Sequence, residues 1–180
     1  MAKRCLTIHT LYVMVRTKRK NIAIHACPAN RNADERRWAV GHWASLINQL
    51  DADIAFVGVW NDRPYYNRIW EHIEDTSRIY DMVGVLHLTG TVIELCNMDL
   101  LICVNSSIMH LGVEYKVPTV AIVGGTPAFI ILPPESNKLR ILEDPELKWW
   151  DSSDGHDVHI NSRLNEIMPE DVLRKIDELG

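Results

Sequence analysis

The 180-residue chain lacks any stretch near the roughly 18 consecutive apolar residues that a membrane span needs, so no transmembrane helix is expected. Its four cysteines, Cys5, Cys27, Cys96 and Cys103, are scattered and form no CxxC pair. That spacing fits reduced thiols in a cytoplasmic protein better than a disulfide framework. No acidic side chain occurs in the first 20 residues, which carry six basic ones: Lys3, Arg4, Arg16, Lys18, Arg19 and Lys20. From residue 21 onward the balance reverses, with 13 basic residues against 24 acidic, and a domain that acidic is not expected to bind nucleic acid. Internal repeats and low-complexity segments are absent. So are the Gly-Lys-Thr of a P-loop and the Gly-x-Ser-x-Gly elbow of a serine hydrolase.

What is present reads as one domain. Residues 5–15 are apolar between two basic clusters, a weak imitation of a signal peptide, but no small-residue cleavage site follows. Residues 1–20 are therefore read as a basic and apolar segment, either a strand or a docking segment, ahead of a domain over 21–180. Within that domain short apolar runs alternate with amphipathic ones. Strands are expected at 21–25, 53–59, 79–83, 99–104, 117–123 and 139–142. Helices are expected at 40–50, 61–75, 91–97, 108–115 and 169–179, with Asn61 or Asp62 capping the second and a Thr91/Glu94 capping box opening the third. The run Asp99-Leu100-Leu101-Ile102-Cys103-Val104 does not alternate, as befits a strand buried on both faces. The pattern predicts an α/β fold, a Rossmann-like doubly wound parallel sheet.

Ligands of such sheets sit beyond the carboxyl ends of the strands, at a topological switch point. Attention therefore falls on the loops after His25, Val59, Val104 and Val123. The first carries small residues and then Arg36-Arg37, fixed positive charge suited to a phosphate. The second reads Gly58-Val59-Trp60-Asn61-Asp62, with a carboxylate placed for ribose hydroxyls or for capping the next helix. The third, Asn105-Ser106-Ser107-Ile108-Met109-His110, opens a helix with small polar residues, giving free backbone N–H groups and a positive dipole end. The fourth, Gly124-Gly125-Thr126-Pro127, is glycine-rich. Two other clusters compete for notice. Asp154-Gly155-His156-Asp157-Val158-His159 has metal-ligand residue types but reads better as a polar loop, and Trp149-Trp150 suits either docking or packing over a sheet edge. His25 with Cys27 lacks a second ligand pair in the sequence and is read as loop chemistry.

Taken in order, these blocks resemble the ADP-heptose-type lipopolysaccharide heptosyltransferases. That family's carboxyl-terminal domain opens with His-Pro-Gly-Ala, then a basic run with Trp and a His-Trp helix; here stand His25-Ala26-Cys27-Pro28, Arg36-Arg37-Trp38 and His42-Trp43. Its Asp-Ser-Gly-Pro-Met-His-Leu-Ala block, followed by Gly-Val-Pro-Thr and Phe-Gly-Pro-Thr, corresponds to 105–112, then Lys116-Val117-Pro118-Thr119 and Val123-Gly124-Gly125-Thr126. The final helix is matched by Ile167-Met168-Pro169-Glu170-Asp171-Val172.

The resemblance implies half of a two-domain glycosyltransferase fold, the half that binds a nucleotide-diphosphate sugar. It implies that Arg37 contacts the donor phosphates, that Asp62 binds ribose, and that Ser106, Ser107, Met109 and His110 line the diphosphate and sugar. Asn105, Gly124, Gly125 and Thr126 complete the expected site. Asn105, Ser107 and Ile108 stand where the family has Asp, Gly and Pro. Neither a metal nor another cofactor is expected. The family's amino-terminal acceptor domain, with its aspartate general base, is not found in this chain, so turnover is expected to require an acceptor-domain partner chain or a homo-oligomer. The competing expectation is a noncatalytic binding or structural protein that keeps the fold.

Overall fold

The computed structural model describes residues 7–8, 11–12, 18–28, 37–124, 126–144 and 163–180. Two short strands, β1 (Thr7–Ile8) and β2 (Leu11–Tyr12), pair antiparallel with one another. Six further strands follow: β3 (Lys20–His25), β4 (Ala52–Phe56), β5 (Ile79–Asp81), β6 (Leu100–Val104), β7 (Thr119–Val123) and β8 (Leu139–Glu143). They form one sheet in the order β5-β4-β3-β6-β7-β8, and every pairing in it is parallel. The chain builds outward from β3 to β5, crosses back, and builds outward again from β6 to β8. β3 and β6 therefore flank the switch point.

The helices are α1 (Val40–Gln49), α2 (Arg63–Trp70), α3 (Leu88–Cys96), α4 (Ser107–Glu114), α5 (Ala128–Ile131) and α6 (Pro169–Asp177). Apart from the exposed Lys20, the residues of β3, β4, β6 and β7 are buried, and the pleat sends alternate side chains into two separate cores. One holds Ile24, Ile54, Phe56, Ile102 and Ile122 against Trp43 and Ile47 of α1, Tyr66 and Ile69 of α2 and Val172 of α6. The other holds Ala23, Ala55, Cys103 and Ala121 against Leu95 of α3, Met109 of α4 and Ala128 of α5. Small strand residues on that second face let helices come close. At Gly112 of α4 an added Cβ would lie 2.4 Å from Leu101 Cδ2.

Arg78 closes the far end of α1. Its guanidinium is buried and donates to the carbonyls of Leu50 (2.5 Å), Ala52 (3.1 Å) and Ile47 (2.5 Å), a cation placed on the negative end of the helix dipole. At the other end of the sheet, the fully buried Tyr66 hydroxyl accepts from Ala26 N–H at 2.8 Å. It lies 3.0 and 2.8 Å from the carbonyl oxygens of Ile24 and Val57, either of which its proton can serve. That one group ties the carboxyl ends of β3 and β4 together.

Two sequence expectations need correction. The third helix starts not at Thr91 but a turn earlier, at Leu88 after the N-cap His87. Thr91 N–H and Oγ1 both bond the His87 carbonyl and Glu94 is buried, so the Thr91/Glu94 pair is helix interior rather than a capping box. The second helix is shorter than 61–75. A 3-10 turn, Trp60–Asp62, precedes it, it ends at Trp70, and Asp75 caps a separate 3-10 turn, accepting from Ser77 N–H at 3.0 Å. The clusters at 149–150 and 154–159 lie outside the described residues.

Helix α4 ends in a Schellman turn. Val117 N–H bonds the Gly112 carbonyl at 2.9 Å, and Lys116 N–H bonds that of Val113 at 3.1 Å. This requires Lys116 to adopt φ 57°, the left-handed region that disfavours a β-carbon. Lys116→Gly should therefore raise stability by about 0.5–1 kcal/mol, seen as a higher denaturant midpoint at unchanged slope. Tyr66→Phe should lower it by about 1–3 kcal/mol. It keeps the ring but strands the Ala26 N–H in the interior, and equilibrium unfolding of the two proteins measures the difference.

Candidate functional site: a cleft at the switch point

A cleft of about 530 Å³ opens beyond the carboxyl ends of β3, β4, β5 and β6, within the size range of small-molecule sites. The end of β3 supplies His25, Cys27 and Pro28, and Arg37 joins them from just ahead of α1. The loop after β4 supplies Gly58, Val59, Asn61 and Asp62. Leu86 comes from the β5–α3 connection, Leu88 and Thr91 from the first turn of α3, and Ser107 with Ile108 from the first turn of α4.

Of the residues expected from sequence, Arg37, Asp62 and Ser107 meet in this cleft. Ser106 is buried beneath it as the N-cap of α4, its Oγ accepting from Met109 N–H at 3.3 Å. Met109 is packed in the core, Asn105 is half-buried and His110 is exposed on α4. None of these four is among the cleft-lining residues, nor are Gly124 and Thr126, while Gly125 lies outside the described residues.

His25, Cys27 and Ile108 stood in the loops singled out by sequence but were not expected to line the site, and the β5–α3 loop was not singled out. The switch-point rule directs attention to the strands flanking the crossover. β5 stands at the sheet edge, with β4 and β3 between it and β6, so the rule did not point to its loop.

Asp62 is held in place by its own loop. Its Oδ2 accepts from Val59 N–H at 2.9 Å, and the Cys27 thiol donates to the same carboxylate. A Cβ at Gly58 would come within 2.8 Å of Oδ2, so glycine there lets the carboxylate fold back over the strand end. The side chain makes no cap bond to α2. Burial raises the Asp62 pKa, while the Val59 and Cys27 hydrogen bonds and the Arg37 charge pull it down.

Burial, and then the charge of Asp62, push the Cys27 thiol up to about 12 against the pull of Arg37. Cys27 is thus a donor rather than a thiolate at neutral pH. Arg37 rests over the Tyr65 ring at 5.1 Å, and the Tyr65 hydroxyl donates to the Trp38 carbonyl. Trp38 Nε1 in turn donates to the Ile167 carbonyl at 2.7 Å, anchoring this corner to the segment before α6.

The assembled groups are a guanidinium on a rigid aromatic base, a held carboxylate, the start of a helix and an apolar wall. Such a set suits a ligand with an anionic centre, hydroxyls and an apolar ring.

Burial lowers the His25 pKa from 6.5 to about 4. Between those values the unfolded chain binds a proton that the folded chain refuses. The stabilisation is complete above pH 6.5 and is lost as pH falls toward 4, by an amount on the order of 3 kcal/mol. Denaturation curves at pH 7 and pH 4.5 should therefore show wild type losing stability relative to His25→Leu, in which this group cannot titrate.

The family model for glycosyltransferase family 9 (heptosyltransferase) matches residues 5–148. Lipooligosaccharide heptosyltransferase 2 of Haemophilus influenzae is 26% identical over 162 residues, covering 85% of this chain and 46% of that protein. Among solved structures, a family 9 glycosyl transferase from Veillonella parvula superposes with a TM-score of 0.74 at 22% identity, covering 89% of this chain and 46% of its own. The E. coli ADP-heptose lps heptosyltransferase II superposes with a TM-score of 0.73, also at 22% identity, covering 92% and 47%. The chain thus spans about half the length of these relatives, and the six-stranded parallel sheet is the fold they share with it. With the family match running from before β1 to the end of β8, the chain belongs to glycosyltransferase family 9, the heptosyltransferases.

Proposed function

We propose that residues 21–180 form the donor half of a glycosyl transfer site and that the cleft binds a nucleoside diphosphate sugar, ADP-heptose being the first candidate. The observation that carries this reading is the convergence of Arg37, Asp62 and the first turn of α4 on one cleft at the switch point. Arg37 and the α4 N-terminus supply positive charge for a diphosphate. Asp62 offers a fixed carboxylate to ribose hydroxyls, and Leu86 and Leu88 offer an apolar wall to a base. The relative from E. coli is named for ADP-heptose, which makes adenine and heptose the first chemistry to try. In the proposal Asn105, Ser106, Met109, His110, Gly124 and Thr126 have a supporting role and do not line the cleft.

In the reaction an acceptor hydroxyl oxygen, on a glycan or a lipopolysaccharide, attacks the anomeric carbon as the carbon–oxygen bond to the diphosphate breaks. The nucleoside diphosphate leaves with the bonding electrons, and Arg37 and α4 neutralise its growing charge without a metal. The hydroxyl proton goes to a base on a complementary acceptor half.

Calorimetric titration with ADP, UDP and GDP tests the donor site. One diphosphate should bind saturably, and Arg37→Ala should weaken it by about tenfold or more. Asp62→Ala should also weaken ADP, while leaving pyrophosphate affinity within about twofold. No binding of any diphosphate at millimolar concentration would remove the donor reading.

A further inference from the structure

His25 closes β3 opposite Cys103 of β6, at the seam from which α4 departs. It lines the cleft yet is 95% buried, being only 5% exposed. Its Nδ1 is enclosed and has no hydrogen-bond partner among the described residues. Nδ1 is shut off from the cleft, so any bond the ring makes to a bound molecule comes from Nε2. Nearby polar groups have other engagements: Asp62 serves Val59 and Cys27, and Ser106 serves Met109.

The chemistry of the ring narrows its role. Burial lowers its pKa to about 4, so the imidazole is uncharged at neutral pH and has one N–H and one bare nitrogen. A proton on the enclosed Nδ1 would have no acceptor to receive it. The better tautomer carries the proton on Nε2 and leaves Nδ1 bare, so the ring has one N–H to offer. Ser107 and Ile108, the first residues of α4, line the same cleft as His25, as does Arg37.

We propose that His25 is a positioning residue for the diphosphate, donating a hydrogen bond from its imidazole to a phosphate oxygen held between Arg37 and the first turn of α4. The proposal rests on the donor-site reading above. An uncharged donor directs the phosphate without placing a second full cation beside Arg37. The ring fixes orientation, and the guanidinium supplies most of the attraction.

The test compares wild type, His25→Leu and His25→Gln in titrations with ADP, pyrophosphate and adenosine, with far-UV circular dichroism as the check on folding. His25→Leu should weaken ADP and pyrophosphate about tenfold or more and leave adenosine unchanged. His25→Gln, which keeps an N–H donor, should recover most of that loss. A measurement on unaltered protein stands beside the variants: the histidine ¹⁵N resonances of wild type, with that of His25 expected to move when pyrophosphate is added. Wild-type ADP affinity in His25→Leu, an equal loss for adenosine, or an unmoved His25 resonance under saturating pyrophosphate would each overturn the role of His25 while leaving the donor site standing. Failure of wild type to bind either ADP or pyrophosphate would instead remove the donor site and this proposal together.

Discussion

The Tyr66 hydroxyl sits where β3 and β4 run out of sheet, and it takes over the hydrogen bonding that the ladder no longer provides. It accepts from Ala26 and faces the carbonyls of Ile24 and Val57. Without it, the buried Ala26 N–H and the Val57 carbonyl would lose the partner it gives them, whereas the Ile24 carbonyl also accepts from Val57 N–H. Burial raises the Tyr66 pKa well above that of a free phenol, so the group remains a neutral donor and acceptor. The cleft depends on this oxygen because His25 and Cys27 lie one residue to either side of Ala26, and Gly58 immediately follows Val57. Moving either strand end would shift the Cys27–Asp62 contact and with it one wall of the site.

A second layer of support surrounds Arg37. Tyr65 lies under the guanidinium and bonds the Trp38 carbonyl, and Trp38 bonds Ile167 and stacks edge-on with Trp43 at 4.9 Å. Residues far apart in sequence thus hold one cation in place. Neighbouring side chains of α2 do different work: Tyr65 braces the cation, and Tyr66 braces the strands.

Much of this was legible in the sequence. Unalternating apolar runs such as 100–104 announced a parallel sheet covered on both faces, and all six expected strands are present. Arg37, Asp62 and Ser107, expected at the loops beyond the strand ends, all line the cleft there. The misses have physical causes. Thr91 and Glu94 have capping-box spacing, but spacing does not reveal that the preceding Leu88-Thr89-Gly90 already turns with the helix. Met109 and Ser106 belong to the right block, yet helical periodicity turns Met109 inward and spends Ser106 on the cap. His25 was set aside because no metal partner lay nearby in sequence. Its place in the cleft wall, with Nδ1 enclosed, depends on how β3 meets β6, which only the fold shows.

The order of strands also bears on how the protein comes together. β3, β4 and β5 are consecutive in the chain and adjacent in the sheet, as are β6, β7 and β8. Only the β3–β6 ladder joins the two sets, and it pairs Ile22 with Leu100. Contacts that distant in sequence form late, because the intervening chain must first be ordered. The cleft straddles this seam, so no partly built half of the sheet contains it. A molecule that spans the seam recognises only the finished fold, and its binding draws the assembly equilibrium of the whole sheet toward completion.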